Sequence, residues 1–238
     1  MRSVMVLNTK GGAGKTTIAT TLAGYYADQG HCTAIKDYDP QGSSWEWLQQ
    51  RPISRAEIHG IAAFKPSNHT TRVWQMRLPV NTERLIIDTP AGVELPKVAS
   101  LFRTIDRIIV PVVPSPIDIR ASAMFIRELT RFVKMYPTNA EVGVVASRVP
   151  PHSSSFQAMQ RLFSNLDIKI IGRLNQSDAY FQAAEHGISM LEMQDEHFNE
   201  DRQAWTEILN WIEGTEQQSD RTVTPLATFT PKRFVVGS

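Results

Sequence analysis

Cysteine is almost absent: one residue of 238, Cys32, carries a thiol. This excludes an intramolecular disulfide and any zinc or iron–sulfur site that needs several thiolates from one chain. It also points to a reducing, cytoplasmic setting. Charge of one sign is lacking too. Twenty-five basic side chains stand against 24 acidic ones, so contact with a polyanion must come from a local patch rather than a global field. Long apolar runs are missing: Leu85-Ile86-Ile87 and Ile108-Ile109-Val110 are far below the roughly 18–20 residues of a spanning helix. The N-terminus opens on a strand-like segment rather than a signal peptide. His59, His69, His152, His186 and His197 have no histidine or cysteine four residues away, so metal-ligand spacing is not found.

What is present is a globular composition. With 42% hydrophobic and 21% charged residues, the chain can bury one sizeable core, which excludes disorder over the whole length. Short β-branched runs alternate with helical periodicity, the pattern of a parallel sheet covered by helices. Strands are expected at Val4–Leu7, Thr33–Ile35, Ile58–Phe64, Leu85–Ile87, Arg107–Val113, Val142–Ala146 and Ile168–Ile171. Helices are expected after Thr17, with Ile18, Leu22 and Tyr26 four apart and Gly30 as the stop, and at Ser43–Gln50, Leu95–Thr104, Ile117–Met135, Ser154–Asn165, Asp178–His186 and Asp201–Ile212. From about Gly214 the chain turns polar. Residues 1–213 are therefore expected to form one domain and residues 214–238 a flexible tail.

Lys10-Gly11-Gly12-Ala13-Gly14-Lys15-Thr16-Thr17 lies between the first strand and the first helix. Glycines there let backbone N–H groups approach phosphate oxygens at the positive end of the helix dipole. Lys15 supplies a point charge to the β- and γ-phosphates, and the Thr16 hydroxyl can ligate Mg²⁺. Asp88, at the end of an apolar strand, can hold the same ion through water, with Asp39 as a further water-mediated candidate. The ordinary P-loop has a glycine where this chain has Thr9.

The box closely resembles the deviant Walker A motif of the ParA/MinD family of ATPases, whose signature is the early lysine, here Lys10. Asp37-Tyr38-Asp39-Pro40-Gln41-Gly42 resembles that family's switch I, and Leu85-Ile86-Ile87-Asp88-Thr89-Pro90-Ala91-Gly92 its Walker B and switch II. A weaker likeness runs from Ile171-Gly172-Arg173 through Ser177-Asp178-Ala179 to Gly187-Ile188, so the resemblance spans about residues 1–213. It implies an α/β P-loop NTPase fold, a mostly parallel twisted sheet with helices on both faces. It further implies ATP and Mg²⁺ as ligands, with Lys10, Lys15 and Asp39 as catalytic residues. Asp39 would orient the attacking water, and Lys10 would reach the nucleotide of a partner subunit in an ATP-bound homodimer. Asp37 either joins this chemistry or holds the turn.

Small members of this family position cargo, the McdA type distributing carboxysomes, on non-specific nucleoid DNA with a ParB-like or other adaptor that stimulates hydrolysis. Two positions depart from the pattern: Ser147-Arg148 replaces the Asn-Arg that reads adenine, and Asn175-Gln176 stands where relatives carry a DNA-contacting arginine. A helix over Ile117–Met135 places Arg120, Arg127, Arg131 and Lys134 in one stripe, with Ala121, Phe125, Ile126, Leu129, Phe132 and Val133 opposite. That stripe is either an ordinary solvated face or a DNA-backbone contact. Two other readings stand beside this one. The first is a MinD-like membrane-associated ATPase, for which the tail around Phe234-Val235-Val236 is short and broken by Pro231. The second is a metabolic P-loop enzyme that spends ATP on a small substrate, for which no acceptor pocket is visible.

Overall fold

The computed structural model describes residues 1–65 and 76–215. The expectations for His69 and for the tail beyond residue 215 lie outside them. The described elements run β1 (Arg2–Val6), α1 (Lys15–Asp28), β2 (Thr33–Asp37), α2 (Ser43–Gln50), β3 (Ile58–Ala62) and β4 (Arg84–Asp88). They continue through α3 (Leu95–Val98) with a 3₁₀ turn over Ala99–Thr104, β5 (Arg107–Val112), α4 (Pro116–Val133), β6 (Glu141–Val149), α5 (Ser154–Asn165) and β7 (Ile170–Asn175). The last are α6 (Ala179–Glu185), α7 (Asn199–Gln203) and α8 (Thr206–Glu213).

The strands form a seven-stranded sheet in the order β3-β2-β4-β1-β5-β6-β7, each neighbouring pair parallel. Because the strands are buried on both faces, alternate side chains feed two cores. In β1, Met5 joins Phe102, Leu129 and Met159 on the face covered by α3, α4 and α5. Val4 and Val6 join Leu22, Trp205 and Trp211 on the face covered by α1, α2, α6 and α8. Ile18, Leu22 and Tyr26 of α1 are 2% exposed or less, and each contributes about 1.5–3 kcal/mol by leaving water. The chain leaves β1 toward β2 on one side and returns to β5 on the other. The carboxyl end of β1 is thus the crevice where open α/β sheets bind ligands.

Several boundaries differ from expectation. β7 begins at Ile170 and reaches Asn175, because the alternation continues past the apolar run to Leu174, which is buried. Gly172 has no side chain because Ile208 packs where a Cβ would stand, 2.4 Å away. The helix expected at Leu95–Thr104 makes one α-helical turn and then tightens to 3₁₀. The final helix is two, since the chain breaks at Ala204-Trp205 to bury the Trp205 indole completely. On α4, Ala121 is exposed rather than packed, and Phe132 is half-buried.

Candidate functional site

The register of the sheet assembles the site. Asp37 and Asp88 are direct neighbours across β2 and β4, and Val6 faces Asp88 across β1 and β4. Three strand ends therefore release the phosphate loop, the Asp37–Gly42 turn and the Asp88–Gly92 turn at one point.

In the loop, Gly12 and Gly14 take φ of 70° and 93°, a left-handed conformation that favours glycine. A Cβ on Gly14 would also stand 2.8 Å from the Ser147 hydroxyl. Helix α1 starts with no side-chain cap and no acidic residue in its first turn. By contrast, α4 and α5 are capped by the hydroxyls of Ser115 and Ser153. The first-turn N–H groups of α1 thus keep their capacity and their positive dipole for an anion. The Thr9 carbonyl accepts the Gly92 N–H at 2.8 Å, and the Thr89 hydroxyl donates to the Val6 carbonyl at 2.8 Å. These bonds tie the phosphate loop to the turn after β4.

Lys15 is buried, and its ammonium donates to the Lys10 carbonyl at 3.2 Å. Burial lowers its pKa, opposed by the charges of Asp88 and Asp39. Asp88 is fully buried, and neither carboxylate oxygen has a partner in good hydrogen-bond geometry. Burial pushes its carboxyl up to about 7, against the nearby Thr16 and Ser44 hydroxyls and Lys15, while Asp37 pushes it further up. A buried carboxylate without a partner is costly, and a divalent cation beside it removes the cost. The oxygen donors of Thr16 and Asp88 suit Mg²⁺, which is held by a few protein oxygens and several waters.

Asp37 is used differently. Its oxygens accept the N–H groups of Asp39 at 2.9 Å and Trp45 at 3.0 Å, so it holds the turn and starts α2; burial raises its pKa. Asp39 accepts the Gln41 N–H at 3.0 Å and is half-exposed at the mouth of the site. Lys15, Thr16, Thr17, Asp39 and Asp88 are brought together with Gly11, Gly12, Ala13 and Gly14. Lys10 is not turned to this point: its ammonium lies 3.2 Å from Asp118 Oδ1.

Ser147 and Arg148 lie beside the loop in an open cleft of about 640 Å³ with Gly14, Thr17, Asn175 and Gln176. Arg148 has φ of 53°, in a stretch where the β6–β7 register shifts. Ser177 donates to Asp201 at 2.6 Å and accepts the Ala179 N–H, tying the late segment to α7. Arg120, Arg127 and Arg131 are exposed along α4, and Lys134 is exposed at its C-cap. None of the four has an ion-pair partner among the described residues. Met124 and Met135 stand 76% and 75% exposed on the same helix face and at its end.

Sequence reasoning missed Ser44, buried beside Asp37 and Asp88, although a serine near a helix start after the Asp37–Gly42 box was a signal. It missed Asp118, whose Ser-Pro-Ile-Asp surroundings read as a helix cap. It also missed the buried pair of Arg51 and Glu192, 5% and 0% exposed, bonded twice at 3.0 and 2.7 Å.

A glycine loop opening an uncapped helix at a topological switch point, with a buried carboxylate one strand away, defines a P-loop nucleotide-binding domain. A family model described as the CobQ/CobB/MinD/ParA nucleotide binding domain matches residues 4–190, and the chain belongs to that family. Over 193 residues it is 27% identical to the maintenance of carboxysome distribution protein A of Halothiobacillus neapolitanus, covering 80% of this chain and 87% of that one. In fold it is similar to Cyanothece McdA in its ATP complex, with a TM-score of 0.69, 17% identity, and 91% and 98% of the two chains covered. It is likewise similar to the MinD cell division protein of Aquifex aeolicus, with a TM-score of 0.68, 16% identity, and 91% and 98% covered. Among the described residues, no helix is long and apolar enough to cross a membrane.

Proposed function

We propose that the protein is an ATP-driven dimerisation switch that binds nucleoid DNA without sequence preference and positions a plasmid, chromosome or protein cargo such as carboxysomes. The observation that carries this reading is the partnerless Asp88 carboxylate beside an uncapped α1, which leaves an unmet need for a cation next to an unmet need for an anion. Mg²⁺·ATP meets both. The phosphate-loop N–H groups and Lys15 would hold the β- and γ-phosphates, and Thr16 directly and Asp88 through water would hold Mg²⁺. Bound there, the ion would neutralise charge that builds on the transferring phosphate. Asp39 orients the attacking water in line with the γ-phosphate. Lys10 reaches the nucleotide of the partner subunit, so slow hydrolysis needs the face-to-face dimer and ends it. The resemblance to the Halothiobacillus protein over most of both chains supports the cargo-positioning part, and an adaptor that stimulates hydrolysis belongs to that reading. The exposed stripe of Arg120, Arg127, Arg131 and Lys134 supplies the DNA contact, in duplicate once the dimer forms.

The test is retention on non-specific DNA at low and moderate salt with ATP, ADP or no nucleotide, for wild type and Asp39→Ala. Retention that needs ATP, weakens with salt and persists in Asp39→Ala is the expected result. Failure to be retained in any of the three conditions refutes the DNA-gripping switch and turns attention to a membrane-associated or small-substrate relative.

A further inference from the structure

We propose that Asp118 is a positioning residue for Lys10: it holds the lysine ammonium within its own chain in the nucleotide-free protein, and dimerisation breaks that hold. The inference rests on the dimer reading above, in which Lys10 acts on the partner's nucleotide.

Both ends of the contact are anchored, so the lysine side chain is the moving part. The Lys10 N–H donates to Asn8 Oδ1 at 3.1 Å, and its carbonyl accepts the Lys15 ammonium at 3.2 Å. Asp118 sits in the first turn of α4, which is fixed to the core by Ile119, Ala123 and Ile126. Its two oxygens divide the work. Oδ2 accepts the Ser115 hydroxyl at 2.7 Å, while the Asp118 N–H donates to Ser115 Oγ at 3.2 Å, so the helix start is complete without Lys10. Oδ1 is left for the Lys10 ammonium, 3.2 Å away. The Ser115 hydroxyl, and then Lys10, hold the Asp118 carboxyl below the usual carboxylate range, so it is charged throughout the physiological range.

The pair has the strength of a catch rather than a weld. Its side chains are 44% and 31% exposed, and an exposed ion pair shifts an equilibrium by about fivefold at most. The buried, doubly bonded pair of Arg51 and Glu192 is the opposite case. A weak hold keeps Lys10 from the solvent-facing site until a partner's nucleotide phosphates outbid one carboxylate.

Sedimentation equilibrium in a non-hydrolysable ATP analogue tests this with wild type, Asp118→Asn and Asp118→Glu. Two holds break per dimer, so Asp118→Asn is expected to tighten the dimer by about two- to thirtyfold, while Asp118→Glu, which keeps the charge, stays close to wild type. A second readout is competitive acetylation of Lys10 in the nucleotide-free proteins, expected to be faster in Asp118→Asn than in wild type or Asp118→Glu. An Asp118→Asn dimer no tighter than wild type, or equal Lys10 labelling in both proteins, overturns the inference. A wild type that stays monomeric in the analogue refutes the dimer reading itself, a result the labelling experiment does not produce.

Discussion

Replacing Asp88 by Asn should change how stability depends on pH in the absence of nucleotide. The Asp88 carboxyl titrates at about 7 in the folded chain against 3.8 ordinarily. Because the folded pKa lies above the unfolded one, the native state keeps a proton that the unfolded state loses between about pH 4 and 7. Stability therefore falls as pH rises through that window and levels off above it. Three pH units at 1.36 kcal/mol each give about 4 kcal/mol, and relaxation around the carboxylate reduces the expected loss to about 2–4 kcal/mol. Asn carries no charge and escapes this loss. Asp37 also has a raised pKa, but it is present in both proteins, and losing a charged neighbour only adds to the same trend. Urea unfolding of both proteins at pH 5 and pH 8, without nucleotide or divalent cation, supplies the measurement. About two of those three units fall between pH 5 and pH 8, so the stability of Asp88→Asn relative to wild type should rise by about 1–3 kcal/mol between the two pH values. A relative stability that is flat or falls with pH would refute the claim that Asp88 bears an uncompensated buried charge.

The same carboxyl should report ligand binding: its pKa is raised to about 7, so at pH 7 Mg²⁺·ATP should release more protons from wild type than from Asp88→Asn. Calorimetric titration in buffers of different ionisation enthalpy reads this directly, and equal release by both proteins would count against Asp88. Arg51→Ala leaves Glu192 charged and buried among α1 and α2, which should cost about 3–5 kcal/mol in denaturant unfolding. Pairing it with Glu192→Leu should recover most of that loss. Charge reversal of Arg127 and Arg131 together removes four phosphate contacts per dimer. It should lower the slope of log affinity against log salt by about 3–4 on non-specific DNA, and an unchanged slope would remove α4 from DNA binding.

How much was legible in the sequence depends on the range over which the physics acts. The phosphate loop, the Asp37–Gly42 box and the Asp88–Gly92 box were readable because each is a local pattern, a strand that ends in residues needing a tight turn or a close backbone approach. The parallel sheet followed from apolar runs that alternate with helical spacing. Boundaries failed where burial continued past the apolar run, as at Leu174. On α4, the spacing placed the four cations on one face, but it did not anticipate Ala121 or the exposed methionines beside them. Contacts between distant segments were invisible: Arg51 and Glu192 are 141 residues apart, and nothing near either predicts the other.

The three buried carboxylates among the described residues make the same point about function. Glu192 is met by the Arg51 guanidinium and by the Ser189 N–H at 2.7 Å, and Asp37 by two backbone N–H groups. Both are fully used by the fold, one joining α2 to the turn beneath α1, the other shaping the turn that carries Asp39. Asp88 is as deeply buried, and with only the Thr16 and Ser44 hydroxyls and the Lys15 charge nearby, neither of its oxygens has a partner in good hydrogen-bond geometry. Burial alone therefore does not separate structural from chemical roles in this chain; the hydrogen-bond accounting does. The carboxylate that the fold leaves unsatisfied lies in register with Val6, whose strand releases the phosphate loop. A residue destabilising to the empty protein stands where a cation would offset its cost, and a nucleotide that brought such a cation would thereby stabilise the loop, both turns and α2 together.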